Sequence, residues 1–126
     1  DGERIAVREA LGYAAPHFPL ADHYASDGEE WMYGRAAHEK LTDSGDWRED
    51  LDLMRHRYMR EDVALGLSLL VSVGALAGID TPIAKGLLAI GGAMCAEDFG
   101  SARSLGALGL GERDPDALKV LLRDGI

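Results

Sequence analysis

Residues 55–62, RHRYMRED, place Arg55, His56, Arg57, Arg60, Glu61 and Asp62 directly ahead of the most apolar stretch of the chain, VALGLSLLVSVGALAGI at 63–79. The acids have an ordinary reason to be there. A helix N-terminus carries a partial positive charge, and a carboxylate in the first turn stabilises it by about 0.3–1 kcal/mol. The arginines have no such reason, because a cation at that end is mildly unfavourable. Arg57 and Asp62 are the two that could act together, as a fixed cation for a carboxylate and a fixed anion for a base or an amine. In a regular α-helix their spacing of five turns them about 140° apart, so they form no i,i+4 pair. If the helix begins near Met59, Arg57 lies in the chain leading into it and can point back over the first turn, so that the two flank one pocket. Asp62 would then share a face with Leu65, Gly66 and Leu69, of which only Gly66 is small enough to leave a notch beneath the carboxylate. On spacing alone, a plain helix start remains the simpler reading.

The elements that must position this cluster read as almost wholly helical. Residues 3–12 set Ile5, Val7, Ala10 and Leu11 among charges, with Gly12 as a stop. YAAPHFPL (13–20) is a loop whose second proline, Pro19, can turn in a short helix. Residues 28–41 read as a polar helix carrying Trp31, Gly34 and His38, and TDSGDWRED (42–50) as an acidic surface connection. Two apolar helices follow, near 59–78 and 82–97. Gly78 closes the first, Thr81 caps the second, and Pro82 occupies its first turn. Gly66, Gly74, Gly86, Gly91 and Gly92 each cost about 1 kcal/mol of helix propensity relative to Ala, which calls for close approach of a neighbour or a ligand. Ser101 can cap a short helix around Leu105 and Leu108. A last helix starts at Asp114–Pro115, presents Leu118, Leu121 and Leu122, and stops at Gly125. No repeat and no strand is evident, so the expectation is one all-α domain over residues 1–126.

Composition excludes several classes. The chain has 22 Asp and Glu against 13 Lys and Arg, a formal net charge of −9. That argues against nucleic acid as a partner, because phosphate binding rests on clustered cations. The negative charge is concentrated in residues 1–62, and 63–100 are mostly apolar. The 63–79 run is interrupted by Gly and Ser and has no aromatic or basic anchors after it, so a buried helix is expected rather than a membrane span. The single cysteine, Cys95, cannot form an internal disulfide and reads as a buried, inert thiol; a cytoplasmic location is expected. No zinc spacing, HExxH, GxGxxG after a strand, or GxxxxGK[ST] loop occurs, so no metal is expected. AIGGAMC reads as helix packing. His17, His23, His38 and His56 are scattered and read as surface or boundary residues, and Trp31 and Trp47 as core edge.

The block HRYMREDVALGLSLLVSVGALAGIDTP (56–82) resembles the signature of the α-helical substrate domain of the octopine/nopaline (opine) dehydrogenase family. That signature runs Arg-Tyr-x-x-Glu-Asp-Val, then Gly-Leu, then an apolar helix ending in Gly-x-x-Thr-Pro. Here these residues are Arg57, Tyr58, Glu61, Asp62, Val63, Gly66, Leu67, Gly78, Thr81 and Pro82. REALGYAAPHFPL upstream and EDFGSARSLGALGL (97–110) downstream are similar to flanking family segments. Ala64 stands where the family often has Pro.

The resemblance implies a compact helical bundle similar to the C-terminal domain of 6-phosphogluconate-dehydrogenase-like enzymes. It also implies an NAD- or NADP-dependent reductive condensation of an amino acid with a 2-oxo acid, or the reverse. The cofactor would sit mainly on an N-terminal Rossmann domain outside this chain, with the substrate between the two domains. By the same resemblance, Asp62 is the carboxylate of a His–Asp dyad and Arg57 binds the substrate carboxylate through its planar guanidinium, with Glu61 a subsidiary substrate contact. The dyad histidine belongs to an upstream family segment that none of the four histidines here matches. The polypeptide alone is therefore expected to be inactive. Two alternatives stand beside this reading. One is a non-catalytic helical module whose apolar helices pair in a homodimer. The other is the helical domain of another 2-oxo or hydroxy acid dehydrogenase, which would want a lysine in a polar cluster; Lys40, Lys85 and Lys119 offer none.

Overall fold

Why the apolar half folds as it does is clearest at its helix ends. Gly78 has φ +72°, the left-handed conformation that a side chain disfavours, and it lets the amide of Ile79 reach back to the carbonyl of Gly74 at 2.9 Å. This pairing satisfies carbonyls that a helix end leaves open. The next helix ends in the same way without a glycine. Ala96 takes φ +53°, and the amide of Glu97 bonds the carbonyl of Gly92 at 3.0 Å.

A computed structural model describes residues 1–25, 27–30 and 50–125. The helices are α1 (Gly2–Ala10), α2 (Leu20–Tyr24), a π-helical segment (Tyr58–Leu67) that runs without a break into α3 (Ser68–Leu76), α4 (Pro82–Cys95) and α5 (Pro115–Asp124). No strand occurs among the described residues, and the fold is all-α. Residues 28–30 are not helical. The rest of the expected 28–41 helix, with Trp31, Gly34 and His38, and the connection carrying Trp47 lie outside the described residues. Contacts group the chain into two compact units, Asp1–Leu51 and Asp52–Ile126.

In the first unit, α1 buries Val7 and stops at Gly12, as its spacing predicts. The loop after it is held by two side chains. Arg4 donates from Nη2 to the carbonyls of His17 (2.8 Å) and Phe18 (3.1 Å), and Glu30 Oε2 accepts both of their amides. His17 is a boundary residue, with Nδ1 3.3 Å from Arg8 Nε and Nε2 3.6 Å from Glu9.

In the second unit, Met59, Ala64, Leu88 and Phe99 form the core, with Val63, Leu67, Val71 and Cys95 packed against them. Gly91 exists because this core comes so close. A Cβ built there would lie 2.9 Å from Val63 Cγ1 and 3.2 Å from Met59 Sδ. Gly92 faces the Glu97 carbonyl in the same way, at 2.7 Å. Gly86 has nothing within 4 Å, so close packing does not account for it.

Three expectations need correction. Thr81 stands at the start of α4, but its side chain makes no capping bond. Its hydroxyl is wholly buried without a hydrogen-bond partner among the described residues, and its φ −127° and ψ 63° lie outside the extended region from which a capping side chain ordinarily reaches the helix amides. Ser101 caps no helix: its hydroxyl donates to Asp98 at 2.6 Å. The helix expected near Leu105 is a single turn capped by Ser104, whose Oγ accepts from the amide of Ala107, and closed at Gly109 with φ +71°. Cys95 is half-buried, with Sγ 3.9 Å from the Met54 carbonyl. At the C-terminal end, Asp114 caps α5 through the amide of Ala117 (2.7 Å); Leu118 is buried, Leu121 half-buried and Leu122 exposed.

Two serines of α3, one turn apart, fasten the 98–105 loop onto it. Ser68 donates to the Gly100 carbonyl (3.1 Å) and accepts from the Arg103 amide (3.0 Å), and Ser72 accepts from the Leu105 amide (2.8 Å). Ser68→Ala removes two bonds of about 1 kcal/mol each, against a helix-propensity gain of about 0.5 kcal/mol. The expected result is a loss of about 1–2 kcal/mol in denaturant unfolding; an unchanged midpoint would show that the loop is held by other contacts.

Candidate functional site

The chain approaches the π segment through a tight turn. The Asp52 carbonyl accepts from the amides of Arg55 (3.0 Å) and His56 (2.8 Å), and the His56 carbonyl accepts from Met59 (3.0 Å) and Arg60 (3.1 Å). Arg57 is therefore not in a loop that points back over the helix. Its φ −53° and ψ −34° are already helical.

What brings it towards Asp62 is the winding of the helix itself. A π-helix closes its hydrogen bonds from i to i+5, so residues five apart lie about one turn apart on the same side. Burial follows that repeat. Met59 and Ala64, five apart, are the buried residues of the segment, whereas Arg57, Glu61, Asp62 and Gly66 are exposed. The α-helical repeat would have rotated Arg57 and Asp62 well away from each other; the π repeat sets them on one exposed side. It also moves Leu65 off the Asp62 face and leaves Gly66 next along it. A Cβ built on Gly66 meets only the Glu61 carbonyl oxygen, at 3.5 Å, so the surface beside the Asp62 carboxylate is open.

Neither Arg57, Glu61 nor Asp62 has an ion-pair partner among the described residues. The Arg57 guanidinium lies 5.8 Å from the centroid of the Tyr58 ring, which meets the His56 ring edge-on at 4.4 Å. His56 Nδ1 accepts the Tyr58 amide at 3.3 Å. Arg55 is solvated, at 88 % exposure with a loose 3.6 Å pair to Asp52. Arg60, by contrast, is tied down. Its Nη1 donates to Glu97 Oε1 at 2.7 Å and its Nε to the Met54 carbonyl at 2.8 Å. The hydrogen bond and charge of Glu97 raise the Arg60 pKa above its ordinary value.

No local pattern in the sequence could have found this pair, because its members are 37 residues apart. Two clefts elsewhere offer no comparable site. One of about 330 Å³ in the first unit is lined by Arg4 and Glu30, both committed to the 17–18 loop. One of about 400 Å³ over Leu88 and Phe99 has Lys85 and Glu97 at its rim, paired with Asp80 and Arg60.

Among the described residues no group of three His, Cys, Asp or Glu could hold a metal ion, and no helix is long and apolar enough to cross a membrane. The glycines of α4 do not form a phosphate cradle, since the space a Cβ would take at Gly91 and Gly92 faces Val63, Met59 and the Glu97 carbonyl.

Comparison with known proteins agrees with the motif. The chain is similar to vitopine synthase of Allorhizobium ampelinum, at 29% identity over 118 residues, which cover 91% of this chain and 32% of that protein. It therefore spans about a third of the length of this curated relative. No solved structure matches. The family described as NAD/NADP octopine/nopaline dehydrogenase, alpha-helical domain, matches residues 1–95. With three-quarters of its length inside that match, and with the Arg57–Asp62 block within it, the chain belongs to the octopine/nopaline dehydrogenase family as part of its α-helical domain.

Proposed function

We propose that this chain is the substrate-binding helical part of an NAD(P)-dependent opine-type dehydrogenase, which condenses an amino acid with a 2-oxo acid reductively or runs the reverse reaction. The observation that carries this reading is the shared exposed side of Arg57 and Asp62, both without an ion-pair partner among the described residues. Arg57 holds the carboxylate of the 2-oxo acid through two parallel hydrogen bonds, a geometry that lysine cannot reproduce. Asp62 orients the imidazole that moves the proton, a histidine supplied by the rest of the whole protein, and stabilises its charged form. Glu61, at the first turn of the segment, is a weaker substrate contact. The nicotinamide cofactor, when bound on a Rossmann domain N-terminal to this one, supplies the hydride. The relative's name, a synthase, favours the condensing direction.

A second reading, a non-catalytic module that pairs two copies of this chain, draws on the exposed apolar row Ile83, Leu87, Ile90 and Met94 of α4. Arg57→Ala in the whole protein separates the two readings. Loss of a charge-assisted bidentate contact, worth about 1.5–3 kcal/mol, should raise KM for the 2-oxo acid by about 10- to 100-fold. The measurement is a saturation series in glyoxylate, pyruvate and 2-oxoglutarate at fixed amino acid. A KM unchanged for all three would remove Arg57 from the site and favour the module.

A further inference from the structure

Arg57 is only as well placed as the turn that delivers it. That turn is closed by the Asp52 carbonyl on one side and is gripped from the other by a side chain of the helix it feeds. Arg60 Nε donates to the Met54 carbonyl, three residues before Arg57, while Nη1 of the same guanidinium donates to Glu97. Glu97 is itself held. It follows the left-handed Ala96, its amide bonds the Gly92 carbonyl at 3.0 Å, and it precedes the buried Phe99 by two residues. The Arg60 guanidinium lies 6.0 Å from the Phe99 ring. One planar group therefore joins the approach turn, the π segment and the end of α4.

We propose that Arg60 and Glu97 are positioning residues for the 2-oxo acid site, fixing the approach turn and the π winding so that the Arg57 guanidinium meets the substrate carboxylate. The proposal rests on the reading of Arg57 given above. Stability alone is a poor reason for the pair, since both side chains are more than a third exposed and such pairs contribute about 0–1 kcal/mol. Geometry is a better one. A displacement of about 1 Å at a binding group costs up to about 100-fold in rate, and the clamp acts where such a displacement would arise.

Arginine is required because it must donate to two acceptors at once from a rigid fork. Lysine can keep the Glu97 pair but has no Nε–H to spare for the Met54 carbonyl.

The test uses the whole enzyme with the same 2-oxo acid series. Arg60→Lys and Arg60→Met should each raise KM for the oxo acid by about tenfold, with kcat and thermal midpoint close to those of the parent. Glu97→Gln, which retains an acceptor for Nη1, should change KM by less than about threefold. The charge-reversed double variant Arg60→Glu with Glu97→Arg should not restore KM, because glutamate cannot donate to the Met54 carbonyl. Parental KM in Arg60→Lys, or rescue by the double variant, overturns the clamp provided Arg57→Ala raises KM. If Arg57→Ala leaves KM unmoved as well, the reading of Arg57 fails and the clamp falls with it.

Discussion

Asp62→Asn in the whole enzyme should lower kcat by about 10²- to 10⁴-fold, the range that a correctly oriented proton-transferring group contributes. Asparagine keeps the shape of the side chain and one carbonyl oxygen, so the imidazole can still dock. What is lost is the negative charge that holds the right tautomer and stabilises the imidazolium. KM for either substrate should move little, because Asp62 is assigned to the proton and not to a substrate carboxylate. Unfolding does not offer an alternative explanation. Asp62 is exposed, without an ion-pair partner among the described residues, and its place in the first turns of the helix is worth at most about 1 kcal/mol. Oxidation of NADH or NADPH by amino-acid and oxo-acid mixtures gives the readout, alongside a thermal melt. A kcat within about threefold of the parent would sink the assignment of Asp62.

Gly91→Val should cost about 3 kcal/mol of stability. The Cβ alone would sit 2.9 Å from Val63 Cγ1, 3.2 Å from Met59 Sδ and 3.3 Å from Phe99 Cδ2, and valine adds two further methyl groups to the same space. Overpacking of this kind costs about 1–3 kcal/mol and sometimes more, and the helix-propensity gain over glycine is only about 0.5 kcal/mol. Gly86→Ala, five residues earlier in the same helix, serves as the control. Nothing lies within 4 Å of its Cβ, so only the propensity gain of about 1 kcal/mol should appear. Urea midpoints of the two variants should therefore move in opposite directions. Equal shifts would mean that the packing at Gly91 is not as close as described. Because Met59 and Val63 flank Arg60 and Asp62 in the chain, Gly91→Val should also lower activity in the whole enzyme.

Much of the architecture is local and was legible as such. Gly12, Gly78, the Thr81–Pro82 boundary and the Asp114–Pro115 start are punctuation that the backbone must obey wherever the helices pack. The stop at Ala96 carried no such mark, since the left-handed residue there is not a glycine. The winding of residues 58–67 was hidden for a different reason. It follows from burying Met59 and Ala64 together, a tertiary fact, and propensity gives no sign of it. Arg57 and Asp62 could be chosen by residue type and by resemblance, but their relation could not, because an α-helical repeat places them on different sides. The tether of Arg60 has no local sign, because its two acceptors come from the preceding turn and from the far end of another helix. Ser68 and Ser72 read only as interruptions of an apolar run, and their loop partners lie more than thirty residues away.

The wide winding of Tyr58–Leu67 also limits which insertions and deletions this chain can accept. Removing the exposed Glu61 would let a narrower helix bury Met59 and Ala64 at a spacing of four. Arg57 and Asp62 would then stand four apart on one side of that narrower helix, so the same change would keep the cation and the anion together. An insertion at the same place would have no comparable refuge. The length of this stretch and its winding are thus matched to each other, and the core pair and the charged pair depend on the same match.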